Sequence, residues 1–171
     1  MDSTVARSGH RRKFDDPVPC PYGLAVDAAD IDLRNATYRR FVELGRAPTI
    51  PEVAETMDQP ETDVREGWQR LHDAHALVLD DAGQILMANP FAAKPTPFRV
   101  EAGGRSWFAN CAWDAFGIGA ALGADSTIHT ECADCHAPIG VRVRDGRPDD
   151  TDLVFHGLVP AASWWNDIGY T

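Results

Sequence analysis

The sequence predicts an α+β protein, and three observations carry that prediction. Helix-like segments fill the first half, prolines interrupt the chain near its middle, and short alternating strands around one apolar helix follow. The expected architecture is an N-terminal winged-helix-like three-helix unit joined to a small, mainly antiparallel sheet domain, whose helix carries a Cys-Ala-x-Asp motif at Cys111 and Asp114. The boundaries implied are a flexible N-terminal arm over 1–29, the helical subdomain over 30–88, a Pro-rich connector over 89–97 and a sheet-bearing subdomain over 98–171.

Each element has its own signal. The arm is polar, carries Arg11-Arg12-Lys13, and ends in prolines around Cys20, a pattern that favours a solvated tail. From Asp32 the spacing of Leu33, Thr37, Phe41 and Leu44 predicts a helix stopped by Gly45. Thr49-Ile50-Pro51-Glu52 reads as a capping box that opens a second helix. A third follows Pro60, with Val64, Trp68, Leu71 and His75 on one face and Glu61 and Asp63 in the first turn. Leu77-Val78-Leu79 and Ile85-Leu86-Met87 then flank a Gly-containing turn, which predicts a hairpin. Beyond the connector, strands are expected over 98–101, 105–108, 126–131, 139–144 and 153–158, and a final helix after Pro160 holds Trp164 and Trp165.

Composition narrows the partners. With 171 residues, 44% of them hydrophobic, the chain has material for a core of ordinary size. A net charge of −10 opposes binding to nucleic acid or to anionic lipid. The third helix carries at least as many acids as bases, so its expected role is packing and not base reading. No apolar run approaches the roughly 20 residues that span a bilayer, and no signal-peptide core opens the chain. A cytoplasmic location is expected, with Cys20, Cys111, Cys132 and Cys135 serving as thiols, metal ligands or catalytic groups.

Two cysteine motifs carry chemistry. If Asn110 caps a helix that runs to about Leu122, Cys111 takes the first helical position and Asp114 lies one turn along the same face. A thiol there meets the positive end of the helix dipole, which lowers its pKa and favours the thiolate. A small buried cysteine beside an ordinary first-turn carboxylate would carry the same residues. Cys132-Ala133-Asp134-Cys135 sets two thiols at a spacing that lets both bind one metal, with His129 and His136 alongside. A structural zinc site would need a second pair, and two packed, reduced cysteines fit the same spacing.

In order and spacing the chain resembles the organomercurial (alkylmercury) lyase family. The resemblance rests on 47–54 (Ala-Pro-Thr-Ile-Pro-Glu-Val-Ala), the turn 80–85, the connector Pro95-Thr96-Pro97-Phe98, Cys111-Ala112-Trp113-Asp114, Cys132-Ala133 with Ala137-Pro138, and Val159-Pro160-Ala161 before a Trp-bearing helix. It implies protonolysis of a carbon–mercury bond without an organic cofactor. Cys111 would be the thiolate that binds mercury, and Asp114 would relay a proton from a thiol to the leaving carbon. Cys132 matches a cysteine that the family uses structurally. The family's second catalytic cysteine, expected shortly before Val159, has no counterpart in 149–157, so Cys135 is the candidate stand-in and His156 a poorer one for a soft metal. The chain also stops before the C-terminal elements that the resemblance implies, which predicts a shortened or diverged member.

The expected function is therefore that of an organomercurial lyase-like protein with Cys111, Asp114 and Cys135 as its catalytic groups, acting on a small organometallic substrate. The alternative is a non-catalytic protein that binds a soft metal, mercury, zinc or copper, through Cys111, Cys132 and Cys135, or a diverged enzyme with another substrate. A winged-helix DNA regulator is disfavoured by charge.

Overall fold

The computed structural model describes residues 27–149, 152–154, 157 and 159–168. Most of the expected arm, with Cys20 and Arg11-Arg12-Lys13, lies outside them. Its last residues do not behave as an arm: helix α1 spans Ala28–Leu44, four residues earlier at its start than the apolar spacing indicates. The reason is local. The Asp27 side chain accepts the Asp30 amide at 2.8 Å and caps the first turn. Gly45 ends α1 at φ 69°, a left-handed conformation that costs glycine nothing.

Helices α2 (Ile50–Met57) and α3 (Glu61–Asp73) follow as the caps predict. Glu52 reaches back to the Thr49 amide at 2.8 Å, and the Arg46 guanidinium beside it holds its carboxyl down to about 2. Helix α3 buries Val64, Gly67, Trp68 and Leu71, but His75 is not on its face. The helix stops at Asp73, and His75 sits beyond it in a left-handed conformation, stacked on Trp165 with ring centroids 4.1 Å apart.

Strands β1 (Val78–Leu79) and β2 (Ile85–Ala88) form the expected hairpin. The connector is not a bare linker, because it contains β3 (Phe91–Ala92). After it come β4 (Phe98–Ala102), β5 (Arg105–Ala109), helix α4 (Ala112–Leu122), β6 (Ser126–Glu131), β7 (Pro138–Arg144) and β8 (Arg147–Pro148). All eight join one antiparallel sheet in the order β1-β2-β3-β5-β4-β6-β7-β8. The chain is thus α+β, as the sequence predicts. The strand expected over 153–158 is not formed at Leu153, Val154 or Gly157, and the rest of that segment lies outside the described residues. Val154 is 89% exposed, so no buried face exists there to reward pairing. A short 3₁₀ helix, Ala161–Asn166, carries the tryptophans.

One face of the sheet is covered. Val100, Ala102, Trp107, Ala109, Ile128 and Val141 point into the core, while their neighbours Arg99, Glu101, Thr127 and Arg142 face outward. Helix α4 packs on β4, β5 and β6 through Ala115 and Ile118. It comes very close at Gly119, where an added Cβ would stand 2.5 Å from the Ser126 hydroxyl. The α1–α3 unit packs on the same core further along: Phe41 stacks on Phe91 at 5.2 Å, and the Trp107 indole donates to the Phe41 carbonyl at 3.3 Å.

Two substitutions test this packing. Thr37 Oγ1 accepts the buried Trp68 indole N–H at 3.0 Å, so Thr37→Val strands that donor and should lower unfolding stability by about 1–3 kcal/mol, with Thr37→Ser nearly neutral. Gly119→Ala should cost a similar amount, roughly 1–3 kcal/mol, by forcing α4 off β6. Urea titration of each variant reads both effects.

Candidate active site

Strand β5 delivers the chain to the motif. It ends at Ala109, and α4 begins three residues beyond it, at Ala112. The cap of α4 is Cys111, in an extended conformation (φ −150°), and not Asn110 as the sequence suggests. The shift of one residue matters chemically. Cys111 takes the cap position without a side-chain capping hydrogen bond, and the nearby amides of Asp114 and Trp113 act only to draw its thiol pKa down. The Asp114 side chain, in the first turn, hydrogen-bonds the same thiol.

The expected lowering of the thiol pKa is reversed. Burial pushes the Cys111 thiol up and the Asp114 carboxylate adds to the rise, while the two amides only partly offset them. The helix terminus is therefore outweighed by desolvation. Asp114 is shifted upward too, chiefly by burial, with hydrogen bonds from Asn110 and Cys111 acting against it. A thiol and a carboxyl group, both partly desolvated and in contact, share one turn.

Asn110 has a different task from capping. Its amide nitrogen lies 3.1 Å from Asp114 Oδ2, 3.0 Å from Asn89 Oδ1 and 3.4 Å from the Phe91 carbonyl. The carboxylate is thereby tied to the segment entering β3. That segment is held in turn by α1, since the Tyr38 hydroxyl donates to the Asn89 carbonyl at 3.0 Å. Tyr38 is buried, which raises its pKa, and Arg34 lies 4.3 Å over its ring and draws the pKa back; the charge of Asp114 also reaches it. Sequence reading missed Tyr38 and Asn89. Tyr38 carries no motif and stands 76 positions before Asp114 in the chain (114 − 38), so only the fold relates them.

The second motif forms the loop between β6 and β7. Cys132 N–H donates to the Ala137 carbonyl and His136 N–H to the Cys132 carbonyl, both at 2.9 Å. Inside the loop the amides of Asp134 and Cys135 and the Cys135 thiol all bond the Cys132 sulfur, and together they draw its pKa down. Cys132 is half-buried and Cys135 exposed. His136 is engaged with Glu131 at 3.1 Å and His129 lies 3.6 Å from Glu101.

Cys111 and the Cys132 turn lie at the same end of the sheet. Strand β4 separates them: its Phe98 pairs with Ala109 of β5, its Arg99 with His129 of β6. Two strand spacings put the backbones of the two motifs about 10 Å apart. Among the described residues no three histidine, cysteine or acidic side chains gather as a metal-binding group, so Cys111, Cys132 and Cys135 do not converge as one ligand set. His156 and Cys20 lie outside the described residues. A cleft of about 570 Å³, lined by Arg99, Thr127 and Arg142, is on the open face of the sheet and touches neither Cys111 nor Asp114.

Residues 91–171 match the family model for alkylmercury lyase. No curated protein matches the chain. Among solved structures, the crystal structure of the mercury-bound form of MerB2 is similar, with a TM-score of 0.56 and 26% sequence identity over 71% of this chain. The match covers 60% of the MerB2 chain, so this chain corresponds to less than two thirds of its length. No helix among the described residues is long and apolar enough to cross a membrane.

Asn110→Ala removes a donor that lowers the Asp114 pKa. A carbon-13 NMR titration of the Asp114 carboxyl group should therefore show its midpoint moving further up in the variant.

Proposed function

We propose that the chain is a member of the alkylmercury lyase family, whose model residues 91–171 match, and that it cleaves carbon–mercury bonds by protonolysis, with Cys111 as mercury ligand and Asp114 as proton relay. The observation that carries this reading is the contact of the Cys111 thiol with the Asp114 carboxyl group in one half-buried turn. The Cys111 sulfur attacks an organomercurial, R–Hg–X, the leaving ligand X⁻ departs, and the thiol proton passes to Asp114. Soft sulfur donates to soft mercury and makes the bound carbon more basic. Asp114 then gives its proton to that carbon as the carbon–mercury electron pair becomes the new C–H bond. The hydrocarbon R–H leaves, and mercury, unchanged in oxidation state, stays on Cys111.

The upward shifts suit both steps. A thiol that keeps its proton supplies one, and a carboxyl group of raised pKa holds a proton readily until the carbon takes it. Trp113 and Phe116, 64% and 41% exposed on the first turns of α4, offer apolar surface beside the turn for the organic group. Asn110 and Tyr38 act as positioning residues.

Incubation with phenylmercury and excess thiol should release benzene, measured by gas chromatography. Cys111→Ser should release none above buffer, and Asp114→Asn should lose on the order of 10²–10⁴ in rate. Absence of benzene from the wild type, or equal release from Cys111→Ser, refutes the proposal; mercury retained with no benzene identifies a soft-metal binder instead. The pH dependence of kcat/KM should be bell-shaped. Activity falls as pH drops through the raised Asp114 pKa, where the relay can no longer accept, and falls as pH rises through the raised Cys111 pKa, where the thiol proton is gone. The same shift predicts stability. Folded Asp114 binds its proton more tightly than the unfolded group, so its contribution is present below the ordinary carboxyl pKa of about 4 and is lost as pH climbs above it. Asp114→Asn should accordingly raise the Tm at pH 7, and the gain should vanish in acid.

A further inference from the structure

The Cys132–Cys135 loop has features that a pair of packed thiols does not need. Cys132 and Cys135 stand three residues apart on one tight turn, the spacing that lets two thiols take a single metal ion. The loop is clamped at both ends by the 2.9 Å bonds of Cys132 with Ala137 and of His136 with Cys132, on top of the β6–β7 ladder. The frame is preorganised, yet the Cys135 sulfur is open to solvent.

The ligand count selects the ion. Zinc wants four donors in a tetrahedron. Here His136 is turned to Glu131, and no third histidine, cysteine or acidic group joins the pair among the described residues. Two thiolates and nothing else match a soft d¹⁰ cation that accepts two sulfur ligands in line, and mercuric ion is the one that the proposed chemistry would generate nearby.

We propose that Cys132 and Cys135 form a self-contained two-thiolate site for mercuric ion, separate from Cys111, which receives the metal after the carbon–mercury bond is broken. In the transfer, Cys132 attacks mercury on Cys111, Cys135 follows, two S–Hg bonds form, and the Cys111–mercury bond breaks as its sulfur takes back a proton released from the pair. No redox change occurs. Two thiols on one short loop act at high effective concentration toward a shared ion, which favours the pair over a single thiol by roughly 10²-fold or more. The open cleft of about 440 Å³ between Pro97 and His136 borders the loop on the side of the connector. Binding stands independently; the transfer rests on the lyase reading.

The binding arm uses full-length protein carrying Cys20→Ser and Cys111→Ser, so that only the pair remains. After one equivalent of mercuric chloride, a tenfold excess of glutathione and desalting, one mercury per chain with both thiols blocked is expected. Adding Cys135→Ser should reduce retained mercury at least tenfold while the circular dichroism spectrum is unchanged. Equal retention without Cys135, half an equivalent bridging two chains, or stoichiometric retention of zinc under the same protocol overturns the site. The transfer arm gives wild type one equivalent of phenylmercury without added thiol, then alkylates free cysteines. Once benzene is released, Cys111 should be alkylated and Cys132 and Cys135 protected. Benzene with Cys111 still protected overturns the transfer alone, and no benzene at all overturns the lyase reading together with the transfer, while the first arm decides the site.

Discussion

The burial of Phe91 is the constraint on which the rest of the molecule depends. Strand β3 is only two residues long, but it pairs with Ala88 and Met87 on one side and with Ala109 and Phe108 on the other. Without it the hairpin of the helical half and the sheet of the second half would have no shared ladder. Its side chain touches aromatic rings from both: Phe41 stacks on it, and Tyr38 and Trp107 meet it edge-on. Fully buried aromatic groups contribute several kcal/mol each to a core, so this contact sets where α1 sits over the sheet.

The same residue fixes the chemistry. The Phe91 carbonyl and the Asn89 side chain both accept from the Asn110 amide, and that amide also meets Asp114. The carboxylate is thus referenced to the core through one side chain. Because the turn is also partly buried, desolvation governs its titration. A helix N-terminus and two amides would favour a thiolate at Cys111 in water-exposed surroundings, yet burial and the neighbouring carboxylate prevail. At Cys132 the same kind of amide contact outweighs desolvation and the shift is downward. Two cysteines of one chain, both contacted by amides, are driven in opposite directions by their solvation.

That contrast gives the two motifs complementary characters. One sets a thiol beside an acid and an apolar helix face; the other presents two thiols on a clamped loop at the sheet end. They are near neighbours across β4 and yet not one ligand set.

The sequence by itself determined the α+β class, the order of the first three helices and the hairpin, the strands with clean alternation such as β6 and β7, and the pair Cys111 and Asp114. These are legible because each depends on periodicity or on a cap within a few residues, as with Thr49 and Glu52. It misplaced what depends on partners far along the chain. The prolines of 89–97 signal a connector, and nothing local reveals that Phe91 pairs on both edges. His75 fits the spacing of α3 and leaves it to stack on Trp165. A hydrophobic run at 153 and 154 reads as a strand but has no face to bury. The helix cap was read one residue early, since asparagine is the better cap by composition and only its contacts with Asn89 and Asp114 show it occupied elsewhere. The sign of the Cys111 shift belongs to the tertiary structure alone, because desolvation is set by what the completed core places around the sulfur.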